Sequence, residues 1–207
     1  MGTAIKKTLH ANNVQRADVV EKRVDWVITQ TKLKSSNLVF VDESSINCGM
    51  TRLYGRALKS ERVNDYIPDV RFERTSIISS IRLNGEQAPF MFKGSLNGEV
   101  FSVYISDILA PTLKTGDVVI IDNFSAHKVR GVLDPIYQKG ATVLFLPPYS
   151  PDLNPIELCW AKLKSMIRKL KPRCLDTMLE TMQKALDWIT KTDIIGWFKH
   201  CGYGIGG

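Results

Sequence analysis

The sequence predicts an α/β fold in which a mixed sheet is flanked by helices on both faces. Three short, fully apolar runs have the length and composition of buried strands, and helical patterns alternate with them along the chain. An Asn-Gly pair between two further apolar runs signals a hairpin, so part of the sheet is expected to be antiparallel. The 207 residues are enough for one domain with a sizeable core.

The first half of the chain predicts a helix, a strand, a long loop and a hairpin. The helix covers residues 14–34, and its expected apolar side consists of Val20, Val24, Trp26, Val27 and Ile28. The first strand covers residues 37–41 and ends at Asp42. Residues 44–72 show no period and are expected to form a basic loop of a length that is usually functional or disordered. The hairpin strands cover residues 75–83 and 89–93.

The second half predicts two more buried strands and four helices. Helices are expected at residues 99–113 and 128–139, and strands at 118–121 and 142–146. Asn154 and Pro155 then fit the N-cap and first residue of a helix. That helix carries a continuous apolar stripe, formed by Ile156, Trp160, Leu163, Ile167 and Leu170. Another helix is expected at 175–190, with Trp160 and Trp188 in the core and a glycine-rich tail that frays at its end.

We expect residues 1–35 to form a helical lead-in segment and residues 36–207 to form the domain that carries the chemistry. The net charge of +7 and pI of about 9.2 favour a polyanionic partner, nucleic acid first. The sequence shows no secretory signal and no apolar run near the roughly 20 residues that span a bilayer. Four widely spaced cysteines without a CxxC pair argue against a zinc site or disulfide framework and fit a reducing cytosol.

Three acidic residues stand where a sheet edge and a helix start would bring them together. Asp42 and Asp122 each follow a buried strand, and the carboxyl ends of parallel strands meet at one edge of a sheet. Glu157 lies in the first turn of its helix, about 100° around the axis from the core stripe. Taken singly, each acid has an ordinary explanation as a turn residue, an N-cap or a dipole partner. Together they predict a carboxylate cluster.

A cluster of carboxylates predicts a divalent cation. Like charges repel, and one pKa would rise sharply without compensation. Carboxylate oxygens suit Mg²⁺ or Mn²⁺ and not zinc. Two such ions can activate a water or a 3′-hydroxyl and stabilise the leaving oxygen, so phosphoryl transfer on nucleic acid needs no protein nucleophile.

Three segments around these acids carry a family resemblance. They are Val41-Asp-Glu-Ser44, Ile121-Asp-Asn-Phe-Ser-Ala-His127 and Leu146-Pro-Pro-Tyr-Ser-Pro-Asp-Leu-Asn-Pro-Ile-Glu157, with 34 residues between the second and third acids. The sequence resembles the catalytic domain of mariner-like transposases, and most of all their bacterial insertion-sequence relatives, which use an Asp-Asp-Glu triad. The resemblance covers about residues 5 to 203.

The resemblance implies a ribonuclease H-like fold and Mg²⁺-dependent DNA cleavage and strand transfer, with Mn²⁺ as a substitute. It makes Asp42, Asp122 and Glu157 both the catalytic residues and the metal ligands. It places Asn123, His127 and Asn154 at polar positions that support the ligands or contact DNA, although His127 also has a plain explanation as a capping or surface histidine. The implied location is the bacterial cytoplasm, at the nucleoid.

Two basic surfaces are candidates for DNA contact. Lys164 and Arg168 share a helix face with Glu157, at offsets of 7 and 11 residues, where a DNA backbone entering the site could run. The alternative is a solvated polar face. The long loop could clamp DNA or a partner subunit, as a corresponding insertion does in mariner relatives, or be a disordered basic loop; its cations are Arg52, Arg56, Lys59 and Arg62. Tyr149 could stack on a base or sugar, or pack on the prolines.

One departure from the family pattern concerns DNA recognition. Full-length relatives carry helix-turn-helix modules before the catalytic domain, whereas only about 35 residues precede the first strand here. The chain is therefore expected to work as a homodimer or with a subunit that carries such modules. A frameshift product, a truncated copy and a fragment all fit this pattern.

Two rival functions stay open. The first is a non-catalytic protein that pairs with a complete transposase and regulates it, which the intact triad disfavours. The second is a nuclease of the same fold acting on RNA–DNA hybrids, which the proline-rich segment before Glu157 disfavours.

Overall fold

The structure, a computed structural model, describes residues 12–69, 72–123 and 130–204. Within them, five strands form one mixed sheet in the order β3-β2-β1-β4-β5. On one side, strand β1 (Leu38–Ile46) pairs antiparallel with β2 (Thr75–Arg82), which pairs antiparallel with β3 (Phe90–Lys93). On the other side, β1 pairs parallel with β4 (Val118–Ile121), which pairs parallel with β5 (Thr142–Phe145).

Helices cover both faces of this sheet. They are α1 (Ala17–Gln30), α2 (Gly98–Val103), α3 (Asp134–Gln138), α4 (Pro155–Leu170), α5 (Leu175–Asp187) and α6 (Lys191–His200). Helix α2 continues through a π-helical turn (Tyr104–Leu109) into a 3-10 turn (Ala110–Thr112). Further 3-10 turns lie at Asn12–Gln15, Ser35–Asn37 and Pro151–Leu153. The predicted helix at 128–139 is shorter in the structure, and its first two residues lie outside the described part.

The alternation of side chains along β1 builds two cores. Leu38 and Phe40 point to one face, where they join a buried cluster with α4, α5, α6 and Trp26 of α1. Val39 and Val41 point to the other face and pack with α2, its π-helical continuation and α3. The predicted mixed sheet with helices on both faces is therefore confirmed.

Strand β1 is longer than the sequence predicted. The apolar run ends at Val41, but the strand continues to Ile46 because residues 43–46 keep pairing with β2. Asp42 therefore lies inside a strand, opposite Ser79. Only the parallel neighbour β4 stops at that level, with Val41 paired to Ile121. Asp42 thus has backbone support from β2 that a residue in a loop would lack.

Two predictions about apolar side chains were wrong. Of the five residues expected on the apolar side of α1, Trp26 is buried, but the other four are about half exposed, and the helix also buries Val19 and Gln30. Trp188 was expected in the core but is 44% exposed, with the ammonium of Lys169 lying over its ring. Trp160, by contrast, is buried as predicted.

The end of the chain is more ordered than its glycines suggested. A helix that the sequence did not predict, α6, begins with a capping box between Thr190 and Asp193. After it, Tyr203 is buried and donates its hydroxyl to the carbonyl of Leu153. The chain is therefore packed as far as Tyr203, and only residues 205–207 of the predicted fraying tail fall outside the described part.

The predicted basic loop projects from the end of β1, and we call residues 51–67 the basic arm. It turns at Leu58–Glu61, and Gly55 approaches Val63 so closely that a Cβ atom there would lie 2.8 Å from Val63 Cγ1. Its root is held by Arg173, which donates to the carbonyl of Cys48 and the hydroxyl of Thr51. This anchor was not predicted from the sequence.

Within the described part of the chain, no helix is both long enough and apolar enough to cross a membrane. The division into a lead-in segment and a catalytic domain at residue 36 stays a prediction.

Candidate active site

The parallel pairing of β1 and β4 brings the first two acids to the same edge of the sheet. Val41 and Ile121 are partners in this register, so Asp42 and Asp122 come next on strands that lie about 4.8 Å apart. Asp42 follows Phe40 by two residues and therefore faces the same side of the sheet, the side that α4 covers. The register alone places two carboxylates beneath that helix.

The third acid comes from the start of α4. Asn154 is the N-cap and Pro155 the first helical residue, as predicted from the sequence. Ile156 and Trp160 are buried against the sheet and fix the helix on it. Glu157, between them in the chain, is thereby directed to the sheet edge rather than into the core.

All three acids line one open cleft of about 620 Å³. The rest of its lining comes from Asn123, Asn154 and the segment Leu146–Pro151. The proline-rich segment therefore forms a wall of the cleft as well as leading into α4. Asn123 and Asn154 lie at the cleft as predicted, while His127 lies outside the described residues.

Burial and the neighbouring acids raise the pKa of two carboxyl groups in this cleft, those of Asp42 and Glu157. Burial is the main reason that the pKa of Asp42 stands well above its usual range, and the charges of Glu157, Glu43 and Asp122 add to it. The pKa of Glu157 is raised chiefly by burial and further by Asp122, while Lys164 opposes the shift. Negative charge is thus gathered at the cleft at an energetic cost.

The donor set fits a hard divalent cation in kind and charge. It offers carboxylate oxygens, which Mg²⁺ and Mn²⁺ prefer, and a cation would offset the repulsion among them. The amide oxygen of Asn154 is buried beside them and has no hydrogen-bond partner. In the conformation seen, no three His, Cys, Asp or Glu side chains of the described ranges are drawn together as ligands of one ion.

Two contacts to the cleft were not predicted from the sequence. The indole N–H of Trp160 donates to Oδ2 of Asp42 at 3.0 Å, inside the core. Arg23 of α1 donates to both carboxylate oxygens of Asp152, at 2.9 and 2.6 Å, and to the hydroxyl of Ser150. A tryptophan in the apolar stripe does signal a buried N–H that needs an acceptor, but its partner is distant in sequence.

Tyr149 is held in a strained position within the cleft wall. Its φ of 56° is in the left-handed region, which non-glycine residues seldom adopt. Its hydroxyl accepts a hydrogen bond from Asn13. Both roles predicted for Tyr149, stacking on a base or sugar and packing on the prolines, stay predictions.

The predicted DNA-binding residues fall into two groups. Lys164 lies on α4 near enough to Glu157 for its charge to oppose the rise in the pKa of Glu157. Arg168 lines a second cavity of about 560 Å³ at the root of the basic arm. The arm's predicted cations are all exposed, and none of them is among the described residues lining the acidic cleft: Arg52, Arg56, Lys59 and Arg62. Helix α4 therefore runs from the cleft towards the arm.

Comparison with solved structures shows the fold. A pre-cleavage Mos1 transpososome matches with a TM-score of 0.76 and 13% identity, over 97% of this chain and 64% of that chain. The mariner Mos1 paired-end complex with Mn matches with a TM-score of 0.73 and 14% identity, again over 97% and 64%. The isolated Mos1 catalytic domain matches with a TM-score of 0.66 and 12% identity, over 96% and 92%.

The predicted ribonuclease H-like fold is confirmed by this likeness to the Mos1 catalytic domain. The chain spans a little under two thirds of the length of the transposase chains in the paired-end complexes. Among curated proteins, none matches the sequence. A family model described as DDE superfamily endonuclease matches residues 37–179, well over half of the chain. The chain therefore belongs to the DDE superfamily endonuclease family.

Proposed function

We propose that this chain is the catalytic domain of a transposase that cuts the ends of a bacterial insertion sequence and joins them to new DNA. One observation carries the proposal. Asp42, Asp122 and Glu157 come from two adjacent parallel strands and the facing helix and line one cleft, where burial and the neighbouring acids raise the pKa of Asp42 and of Glu157. Family membership and the Mos1 fold support the same chemistry.

The proposed ligands are Asp42, Asp122 and Glu157, holding Mg²⁺ or, as a substitute, Mn²⁺. Mos1 structures with Mg and with Mn support this choice of cation. When bound, the cations supply activation of a water or 3′-hydroxyl and stabilisation of the leaving oxygen. The chain contributes three fixed carboxylates, and their support lies in the sheet and in the first turn of α4. Asn123 and Asn154, at the same cleft, are proposed to orient the ligands or the DNA backbone.

DNA is the proposed substrate, and it enters the cleft along α4. Lys164 stands beside Glu157, and Arg168 lies one turn further along the same helix, towards the basic arm. Both would contact phosphates, and the arm's exposed cations would hold DNA or a partner subunit. The Mos1 paired-end complex holds a transposon end, which supports DNA as the substrate. Action at the nucleoid, as a homodimer or with a subunit that carries helix-turn-helix modules, belongs to the same proposal.

Nicking of supercoiled plasmid DNA by the purified chain in Mn²⁺ tests this function. Asp122→Asn keeps the size of the side chain and removes one charged ligand. We expect nicking to fall at least about a hundredfold, since cation ligation supplies several kcal/mol of transition-state stabilisation. Asp187→Asn, an exposed aspartate at the end of α5, removes the same charge away from the cleft and should nick like the wild type.

Equal nicking by the Asp122→Asn protein would contradict the assignment of the site. Nicking by neither protein, even after addition of a helix-turn-helix subunit and its DNA ends, would favour the regulatory alternative. A preference for RNA–DNA hybrids over plasmid DNA would favour the hybrid nuclease.

A further inference from the structure

The buried hydrogen bond between Trp160 and Asp42 joins two elements of the site. Trp160 is 2% exposed and Asp42 is 8% exposed, so water cannot readily replace either partner. The indole donates to one named carboxylate oxygen, Oδ2, at 3.0 Å. An indole N–H can only donate, so it constrains the carboxylate without competing for a cation.

The position of Trp160 on its helix gives this bond its significance. Glu157 lies three residues earlier on α4, so the helix that carries the third acid also holds the first. A shift of α4 would move both carboxylates together. The sheet fixes the backbone of Asp42 through its pairing with Ser79, and the indole constrains the side chain.

The neutrality of the donor also matters. A lysine or arginine at this place would neutralise Asp42 and weaken its attraction for a cation. Asp117 illustrates that alternative, since its buried carboxylate is bonded to Arg82 at 2.8 Å. The indole orients Asp42 without placing a positive charge beside it.

We propose that Trp160 is a positioning residue, which sets the orientation of the Asp42 carboxylate for cation binding through the indole N–H. This inference rests on the proposed function, because it requires a divalent cation at the cleft. Hydrogen-bond partners of metal ligands typically change metal affinity by about ten- to a hundredfold when they are removed. We therefore expect removal of the Trp160 N–H to lower the cation affinity more than it lowers the folding stability.

The test compares two tryptophans of the same buried cluster. Trp160→Phe keeps an aromatic ring in the core and removes the N–H. Trp26→Phe is the matched control, because Trp26 is also buried and its indole donates at 3.2 Å to Tyr203, which is not a ligand. Mn²⁺ affinity is measured from the electron paramagnetic resonance signal of the free ion, with wild type and Asp122→Asn alongside. This readout requires no DNA and no turnover.

We expect Mn²⁺ affinity to fall about ten- to a hundredfold in Trp160→Phe and to stay at the wild-type level in Trp26→Phe. Wild-type affinity in a folded Trp160→Phe protein, with binding still dependent on Asp122, would overturn the inference and leave the proposed function standing. No saturable Mn²⁺ binding by the wild type would overturn the proposed function and, with it, this inference.

A second measurement uses the wild-type protein and applies even if Trp160→Phe does not fold. The chain has four tryptophans, so the indole ¹H–¹⁵N signal of Trp160 can be identified by elimination with Phe variants of Trp26, Trp188 and Trp197. That signal should move on titration with Mg²⁺ and saturate together with cation binding. A Trp160 signal that stays in place while Mg²⁺ saturates the cleft would overturn the inference.

Discussion

A buried aspartate lies beside each end of strand β4, and the two aspartates have opposite electrostatic surroundings. Asp117, just before the strand, accepts from Arg82 at 2.8 Å and from the amide of Lys114 at 2.7 Å. Burial alone would raise its pKa, but these bonds outweigh burial and lower it. Asp42, beside the other end of β4, is surrounded by further acids, and its pKa is raised.

This difference separates a structural acid from one that awaits a partner. At the Asp117 end, the protein supplies its own cation, so the buried charge supports folding. At the cleft, the described contact to the Asp42 carboxylate comes from a neutral indole, and the acids around Asp42 raise its pKa. A fold that tolerates such a cost at one edge of its sheet is consistent with an external cation at that edge.

The largest expected effect comes from removing the charge of Asp117 or of Asp42, the aspartates beside the two ends of β4. Asp117→Asn removes the buried counter-charge of Arg82, whose other described acidic partner is the more exposed Glu86 at 3.6 Å. Breaking a buried pair typically costs about 3–5 kcal/mol of unfolding free energy, so we expect a loss near the lower end of that range. Asp42→Asn removes a repelled charge and keeps an oxygen for the Trp160 N–H, so we expect no loss of stability without divalent cation. Urea unfolding at neutral pH measures both variants.

Added Mn²⁺ sharpens the same comparison. A ligand at a hundred times its Kd stabilises a protein by about 2.7 kcal/mol. Wild type and Asp117→Asn should both gain stability on addition of Mn²⁺, and Asp42→Asn should gain much less. Equal destabilisation by the two substitutions, or an equal Mn²⁺ gain in all three proteins, would remove the distinction between the two ends.

A smaller effect is expected from two cations of α4, Lys164 beside Glu157 and Arg168 towards the basic arm. Replacing both Lys164 and Arg168 by alanine should weaken DNA binding and reduce the slope of log K against log salt by about 1.8, for two lost phosphate contacts. Fluorescence anisotropy with duplex DNA at several salt concentrations measures that slope.

The control for this pair removes the same charge elsewhere. Lys184 and Lys191 are exposed on α5 and α6, and their double alanine variant should keep the wild-type slope. A slope that changes equally in both double variants would show that overall charge, and not the α4 face, determines DNA binding.

The smallest effect appears as pH is lowered in the absence of divalent cation. The folded pKa of Asp117 lies below 3.8, so its contribution to stability is present above 3.8 and disappears as pH falls through the folded pKa. For Asp42 the folded pKa lies well above 3.8, so the cost of its charge is relieved as pH falls through that folded pKa towards 3.8.

Unfolding free energies across this pH range, as differences between wild type and each Asn variant, check both signs. The Asp42 difference should close above 3.8, as pH falls from the folded pKa of Asp42 to that value, and the Asp117 difference should close only below 3.8. Differences that close in the same pH range would contradict the assigned surroundings.

Local sequence pattern predicted most of the sheet and the position of α4, because apolar runs and caps are short-range signals. It failed where a distant partner decides. Strand β1 extends to Ile46 because β2 lies beside it. Trp188, at the C-cap of α5, is 44% exposed and has the Lys169 side chain of α4 over its ring. The apolar residues of α1 looked like a core face, but the helix is oriented by Trp26 and its contact with Tyr203.

The same division applies to the candidate site. The acids were found because each stands at the end of an apolar run or at the start of a helix. Parallel pairing of β1 and β4 brings the first two to one edge of the sheet. Their supports could not be found in this way. Trp160 and Asp42 are 118 residues apart, and Arg23 and Asp152 are 129 apart, so only the folded chain shows these contacts.

The contact between Arg23 and the cleft wall has a practical consequence for the design of shorter proteins. Arg23 and Asn13 hold Asp152, Ser150 and Tyr149 from the lead-in side, across more than a hundred residues of chain. A version begun at residue 36, where the sequence suggests a boundary, would lack both side chains. It would also lack Trp26 and leave open the buried space that the Trp26 indole fills. The helical lead-in should therefore be retained in any minimal active fragment, and a loss of nicking after its removal would reflect a loosened wall rather than missing DNA recognition.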